Sequence, residues 1–396
     1  MARRLHSPIC SKAIAVLLAV CLAAAGRCEL VPPPPSMEAA AAFVVQAQSG
    51  AVLYEKSAFE GRPPASLTKM VTALVVVDRC GLDDVATVSA RAASATGSVL
   101  GLREGETITV GELLKGLMLP SGNDAAVCLA EHVAGSEPAF ATLMNEKAAE
   151  LTAVKTHFVN ASGLTAEGHY SCARDLAVFA MAVRLNPYLA SIIGQGSAQV
   201  TWCGGRTTEV TNLNRLLPRC RGCDGVKTGF TTPAGRCLAA SATRDGYSLV
   251  SVVLRSPDSW TESGELLNWG FAQPAVGVVE VPAQGAAAPL RFAAPLHQGR
   301  LYVPADDFMA ALGCPVEMAS PTVVATVGGR QLTFSPGVGL TIGDRLADPP
   351  IDIVTWRGRA AAAATDLCRL LGLQLRFDKS RLTARVGPRM EASPGQ

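Results

Sequence analysis

The chain has 396 residues, a formal net charge of +2, 49% hydrophobic and 17% charged residues, and a mean hydropathy of +0.26. That is enough chain for two or three domains, too balanced in charge for a polyanion-binding surface and too apolar for pervasive disorder. The positive hydropathy suggests a membrane, yet no run approaches the ~18 uninterrupted apolar residues of a spanning helix.

Arg3, Arg4 and Lys12 precede an apolar run over 13–25 that ends in Ala23-Ala24-Ala25. The run is short for a span, and with its basic start it predicts a removable secretory signal over residues 1–25. The +2 is then the signal's own charge, and the exported chain keeps no basic surplus to recruit nucleic acid. Pro32 to Pro35 stiffen a spacer over 26–38. Residues 42–47 and 51–55 flank Ser49-Gly50 and predict a hairpin. A helix is predicted over 66–78, after Pro63-Pro64, and further helices over 112–118, 124–134, 137–151 and 174–185. Strands return from about Val200, notably over 226–230, 237–243 and 247–254, the last two joined by the turn Arg244-Asp245-Gly246. A closing helix is predicted over 261–269. This order suits an α/β (α+β) domain over 39–272, in which an antiparallel sheet pairs its terminal segments around a helical cluster.

The Ala-, Gly-, Val- and Pro-rich residues 273–290 read as a linker. Beyond them a repeat with a period of 59 residues aligns Arg300 with Arg359, Asp307 with Asp366 and Leu312-Gly313 with Leu371-Gly372. Each unit reads as a strand, a helix ending at the glycine, then paired strands. Residues 291–389 are therefore predicted to form one small duplicated α/β domain, followed by a polar tail over 390–396.

Of the twelve cysteines, Cys10 and Cys21 fall in the signal, while Cys203, Cys220, Cys223 and Cys237 cluster. The C-x2-C pair admits zinc, but the outer spacings of sixteen and thirteen residues fit no zinc ribbon closely, and no metal is expected. Disulfides or buried thiols are the remaining alternatives for an exported chain.

The sharpest chemical signal is Ser66-Leu67-Thr68-Lys69. Residues i and i+3 share a helix face, so Lys69 can reach the Ser66 hydroxyl. A desolvated, neutral lysine can then serve as the base that makes an alcohol nucleophilic. Ser121-Gly122-Asn123 follows Pro120 in a break between helices, where a turn can aim polar side chains into a cleft. Lys227-Thr228-Gly229 lies on a strand, where cation and hydroxyl can take a carboxylate and Gly229 leaves room for a substrate backbone. Singly, each has a bland reading: an exposed helix start, an N-cap, a solvated strand lysine. In this order, separated by 55 and then 106 residues, they form the signature of penicillin-binding proteins and class A β-lactamases.

Residues 39–272 resemble the low-molecular-mass penicillin-binding proteins that are serine-type D-Ala-D-Ala carboxypeptidases. The likeness runs through Pro64-Ala65-Ser66-Leu67-Thr68-Lys69-Met70, Leu119-Pro120-Ser121-Gly122-Asn123-Asp124, Thr156-His157-Phe158-Val159-Asn160, Ala173-Arg174-Asp175-Leu176 and 224–230. The resemblance implies Ser66 as nucleophile, Lys69 as general base and Ser121 as proton relay to the departing nitrogen. It implies that Asn123 holds the substrate amide and that Lys227 and Thr228 hold the terminal carboxylate. The backbone N–H groups of Ser66 and Phe230, beside Gly229, would form the oxyanion hole. The implied partners are peptidoglycan stem peptides ending in D-Ala-D-Ala, with β-lactams as acylating inhibitors and no cofactor. The implied setting is the cell wall, the medium or the outer face of a bacterial cytoplasmic membrane.

Two positions depart from the family pattern. Ser259 stands where many relatives carry Arg about seven residues before the closing Leu-Leu, with Arg255 as a possible substitute, and Cys172 replaces the Thr usual before Ala-Arg-Asp. The repeat over 291–389 resembles the small domain in the N-terminal region of certain copper amine oxidases and in many bacterial surface proteins. Copper does not follow, because His297 is the one histidine there and Met309, Met318, Cys314 and Cys368 lack ligand spacing. A structural or wall-contact module is expected instead. The rival readings are a β-lactamase, for which no Glu-x-x-x-Asn element lies between the second and third motifs, and a catalytically silent wall-binding protein, which requires an inert Ser66.

Overall fold

A computed structural model describes residues 33–273, 276–282, 288–297, 300–319, 321–356, 359–378 and 383–388. The expected signal and tail, and the spacer up to residue 32, lie outside the described residues. The chain divides into two compact units, Pro34–Phe271 and the stretch from Ala272 onward.

The first unit opens with the hairpin β1 (Ala41–Gln46) and β2 (Val52–Lys56). A 3-10 turn over Ala65–Thr68 runs into α1 (Lys69–Arg79). The ribbon β3 (Val85–Thr87) and β4 (Thr107–Thr109) leads to α2 (Val110–Met118), α3 (Asn123–Ala134), α4 (Glu137–Glu150), α5 (Ala173–Leu185) and α6 (Pro187–Ile193). A second ribbon, β5 (Ser197–Thr201) and β6 (Thr207–Thr211), precedes β7 (Cys223–Thr231), β8 (Gly235–Arg244), β9 (Tyr247–Ser256) and α7 (Ser259–Ala272).

The main sheet runs β2-β1-β9-β8-β7, antiparallel throughout, so the first and last strands of the unit lie side by side across the helical stretch. Local chemistry sets this order. Asp245 and Gly246 both take positive φ (51° and 78°), the mirror-image turn whose twist matches an antiparallel pair. Glu262 of α7 accepts the backbone N–H groups of Glu38 at 2.5 Å and Ala39 at 2.9 Å and the Ser256 hydroxyl, which ties the start of β1 to the end of β9. All six residues of β1 are buried, as are the first eight of α1. Phe158 and Phe179 meet with ring centroids 5.9 Å apart. Burying side chains of this size stabilises by roughly 1.5–3 kcal/mol each, so α1 is the central pillar of the unit.

In the second unit the structure corrects the expected linker. Val276–Val281 is a strand, antiparallel to Leu290–His297 and parallel to Thr383–Pro388, with Val278, Val279 and Val281 buried. The alternation in Val-Gly-Val-Val-Glu-Val outweighs the loose composition around it. The repeat has a structural counterpart. The strand–helix pairs Arg300–Pro304 with Ala305–Ala311 and Arg359–Ala363 with Ala364–Leu370 stand 59 residues apart. Their strands pair antiparallel through Tyr302↔Ala363, Val303↔Ala362 and Pro304↔Ala361. The ion pairs cross between the copies: Arg359 meets Asp307 at 2.7 Å, and Arg300 meets Asp366. Such reciprocal contacts are what an internal twofold produces.

The nine described cysteines are all free thiols. Within the sequence cluster, Cys203 is exposed and the other three sulfurs face backbone carbonyls as weak donors: Cys220 to Arg221 (3.9 Å), Cys223 to Gly225 (3.6 Å) and Cys237 to Ala234 (3.7 Å). Burial pushes the Cys223 thiol up to about 12 and Cys237 up to about 11, which leaves them protonated and inert.

Candidate active site

The helix predicted from Ser66 does not begin as an α-helix. Ser66 sits in the 3-10 turn, and Ala65 before it takes a φ of +48°, rare for a residue with a side chain. Two glycines make room for that turn. A Cβ on Gly163 (φ +84°) would lie 2.0 Å from the Ala65 carbonyl oxygen. A Cβ on Gly229 would lie 3.1 Å from the Ser66 nitrogen and 3.2 Å from both Ala65 Cβ and the Pro64 oxygen. On the side where a Cβ would project, Gly229 faces the nucleophile's own turn, and it also lines the pocket.

Lys69 is the first residue of α1 and is fully buried. Its Nζ lies 3.0 Å from Ser66 Oγ and donates to Asn123 Oδ1 and to the Ser162 carbonyl, each at 2.7 Å. Burial first, and the charge of Lys227 second, hold this amine well below its ordinary range, against the opposing pull of Asp124. A neutral amine has two N–H bonds and one lone pair. With Asn123 and Ser162 taking the N–H bonds, the lone pair faces the Ser66 hydroxyl. That is the geometry of a base poised on its nucleophile.

Asn123 opens α3, and its Nδ2 donates to the Thr96 carbonyl at 2.6 Å. Both ends of the amide are therefore engaged within the protein, and Asn123 works first as a clamp on Lys69. Asp124 accepts the backbone N–H groups of Leu100 and Gly101 at 2.8 Å and of Leu102 at 3.0 Å, fixing the stretch that brings Ser98 to the site. Ser121 lies between α2 and α3 with a φ of +66°. Behind the turn, the buried His169 places Nε2 2.9 Å from Thr68 Oγ1, and its Nδ1 accepts from the Val159 N–H at 3.1 Å. Nε2 therefore carries the proton. Burial lowers this imidazole to about 4, so it is neutral at physiological pH.

Ser66, Ser121, Thr228, Gly229 and Phe230 meet on the wall of one pocket of about 390 Å³, with Ser98, Arg215, Arg236, Ser259 and Trp260. Lys69, Asn123 and Lys227 lie beneath that wall. Lys227 is 1% exposed, donates from Nζ to the Thr228 carbonyl at 3.2 Å, and is lowered by burial to about 7. It is buried next to Thr228 and Gly229, which line the pocket. Arg255 is exposed, packs against Gly235 and does not line the pocket. The pocket cations are Arg215 and Arg236, which motif spacing did not single out. For Arg236 the hairpin register was the available signal, since it stands opposite Phe230.

The family described as D-alanyl-D-alanine carboxypeptidase matches residues 29–258. The D-alanyl-D-alanine carboxypeptidase DacF of Bacillus subtilis is 36% identical over 244 residues, covering 60% of this chain and 63% of that protein. DacC of Escherichia coli, of the same description, is 38% identical over 253 residues, covering 60% and 62%. The chain thus spans less than two thirds of the length of these two relatives. A solved D-alanyl-D-alanine carboxypeptidase from Mycobacterium tuberculosis superposes with a TM-score of 0.59 at 32% identity, over 66% of this chain and 98% of that one.

Proposed function

Because the chain belongs to the D-alanyl-D-alanine carboxypeptidase family, we propose that it is an exported bacterial serine-type D,D-carboxypeptidase. It removes the terminal D-alanine from peptidoglycan stem peptides through a Ser66 acyl-enzyme. The observation that carries this reading is the Lys69 amine, buried, depressed and 3.0 Å from Ser66 Oγ with both its N–H bonds engaged elsewhere.

The reaction follows from those positions. Lys69 takes the Ser66 proton as Oγ attacks the carbonyl between the two D-alanines. The backbone N–H groups of Ser66 and Phe230 hold the oxyanion, and Gly229 lets β7 approach the Ser66 turn closely enough for both to serve. Ser121 passes a proton to the amide nitrogen, the C–N bond breaks and D-alanine leaves. Water then hydrolyses the ester, restoring Ser66 and releasing the shortened peptide. Asn123 holds Lys69 in register, and Thr228 offers its hydroxyl to the terminal carboxylate. Lys227, beside Thr228, adds to the burial that keeps Lys69 neutral. A β-lactam enters as a substrate mimic and leaves Ser66 acylated. No Asp or Glu is among the described residues that line the pocket, which disfavours the carboxylate-driven deacylation of a β-lactamase. Residues 1–25 supply the export signal, and the duplicated unit serves as a wall-contact module.

The test compares release of D-alanine from an acyl-D-Ala-D-Ala peptide with turnover of penicillin. Peptide hydrolysis that outpaces penicillin turnover is the expected result. The reverse order would make the protein a β-lactamase, and neither activity would make it a silent binding protein.

A further inference from the structure

The far ends of α1 and α3 bring together three side chains that the chemistry above does not use. At their starts these two helices are joined by the 2.7 Å hydrogen bond from Lys69 to Asn123. At the other end, Cys80 follows the last residue of α1, His132 lies in the last turn of α3, and Asp84 immediately precedes β3. One possible ligand atom from each (the Cys80 sulfur, an Asp84 carboxylate oxygen and a His132 ring nitrogen) lies within 4.8 Å of the other two. At ~1.5 Å of rise per residue the cluster is roughly 16 Å along α1 from Lys69. None of the three lines the pocket around Ser66.

Hydrogen bonds already set the frame of this cluster. Asp84 Oδ2 accepts the Gly81 N–H at 2.8 Å, which fixes the carboxylate beside the end of α1. The Cys80 N–H donates to the Val76 carbonyl at 2.9 Å, and the carbonyls of Leu82 and Asp84 accept from Gly111 and Val110 of α2, each at 2.8 Å. Among the described residues no hydrogen bond or ion pair occupies the Cys80 thiol or the His132 ring. A thiol, an imidazole and a carboxylate from three segments make a mixed sulfur, nitrogen and oxygen set, the donors that Zn²⁺ takes at roughly 2.0–2.3 Å. Ligand atoms of a tetrahedral site with such bonds stand roughly 3.5 Å apart, so small side-chain rotations close the set. Asp84 and His132 are exposed and Cys80 is half-buried, which leaves the ion a path in from solvent. Thiolate and carboxylate together neutralise its charge.

We propose that Cys80, Asp84 and His132 form a zinc site that staples the far ends of α1 and α3, with water as the fourth ligand. The thiol binds as thiolate and gives its proton to solvent. Because the ion binds the folded arrangement of three segments, it stabilises the first unit in proportion to its occupancy. It also ties up a half-buried thiol that an oxidant could otherwise reach. The inference stands apart from the carboxypeptidase reading, since no part of it needs Ser66.

The test uses the full chain, stripped of metal by a chelator, kept reduced with a phosphine and titrated with Zn²⁺ alone. Wild type is compared with C80S, D84N and H132Q, and with C203S as the control for an exposed thiol elsewhere. Calorimetry should find one strong site per chain in wild type and C203S. Each of the other three should weaken it by more than the ~10–100-fold that loss of an outer-shell partner costs. Zn²⁺ should raise the Tm of wild type by several degrees and leave that of C80S and H132Q in place. A second measurement needs no variant: Zn²⁺ should slow iodoacetamide alkylation of Cys80 in the folded wild type about tenfold or more, read by peptide mapping, and leave Cys203 unprotected. A wild type without a strong Zn²⁺ site, a site that survives C80S and H132Q, or Cys80 alkylation indifferent to Zn²⁺ would each overturn the inference.

Discussion

Substitution of Gly229 by alanine tests the link between strand and nucleophile. The added Cβ would stand 3.1 Å from the Ser66 nitrogen and 3.2 Å from Ala65 Cβ and the Pro64 oxygen. All three atoms belong to one backbone segment, so no flexible side chain can swing aside; either β7 or the Ser66 turn must move by a few tenths of an ångström. Overpacking of this kind costs about 1–3 kcal/mol. The shift falls on the oxyanion donor and on the attacking oxygen, where small misplacements cost up to ~100-fold in rate. G229A is therefore expected to melt several degrees lower, at about 2–4 °C per kcal/mol for a unit of this size, and to be acylated by fluorescent penicillin about 10- to 100-fold more slowly. G204A is the control, because nothing lies within 4 Å of a Cβ there. A G229A protein with wild-type Tm and acylation rate would refute the argument that this glycine is fixed by the nucleophile's turn.

Lys69→Met removes the base, and penicillin acylation should fall about 10²–10⁴-fold with the fold retained by circular dichroism. In wild type, acylation should rise with pH along a limb set by Lys69 and lying well below 10.5; a limb at 10.5 would contradict a depressed amine. His169 titrates at about 4 when folded and 6.5 when unfolded. The unfolded chain takes its proton first, so about 3 kcal/mol of stability is lost as pH falls from 6.5 to 4. Chemical denaturation across that window measures the loss, and H169Q should flatten it. R300A and R359A should each lower the stability of the second unit by a similar, small amount, about 0–1 kcal/mol for partly exposed pairs. Both should leave acylation unchanged; clearly unequal losses would argue against an internal twofold.

Much of the first unit was legible because its signals are local. The helix periods, the Arg244-Asp245-Gly246 turn and the three motifs each lie in a short stretch whose chemistry declares itself. What escaped depends on contacts distant in sequence. The 3-10 turn at Ser66 is shaped by Gly163 and Gly229, far from it in the chain. The engagement of Asn123 with Lys69 and Thr96 needs three segments together. Lys227 read as a carboxylate-binding cation on a strand, and its burial depends on tertiary packing that the motif does not declare. Arg215 lies over Trp260 and Arg236 donates to the Pro257 carbonyl, contacts to which no motif points. The strand Val276–Val281 was legible in its alternation but hidden by the composition around it.

In the proposed reaction Ser66 is the residue acylated during turnover. Intact-mass measurement after exposure to penicillin, followed by peptide mapping, tests it most directly. The prediction is one adduct per chain on the peptide that carries Ser66, absent in S66A, which also releases no D-alanine. An adduct that persists in S66A, or D-alanine release that survives the substitution, would contradict it.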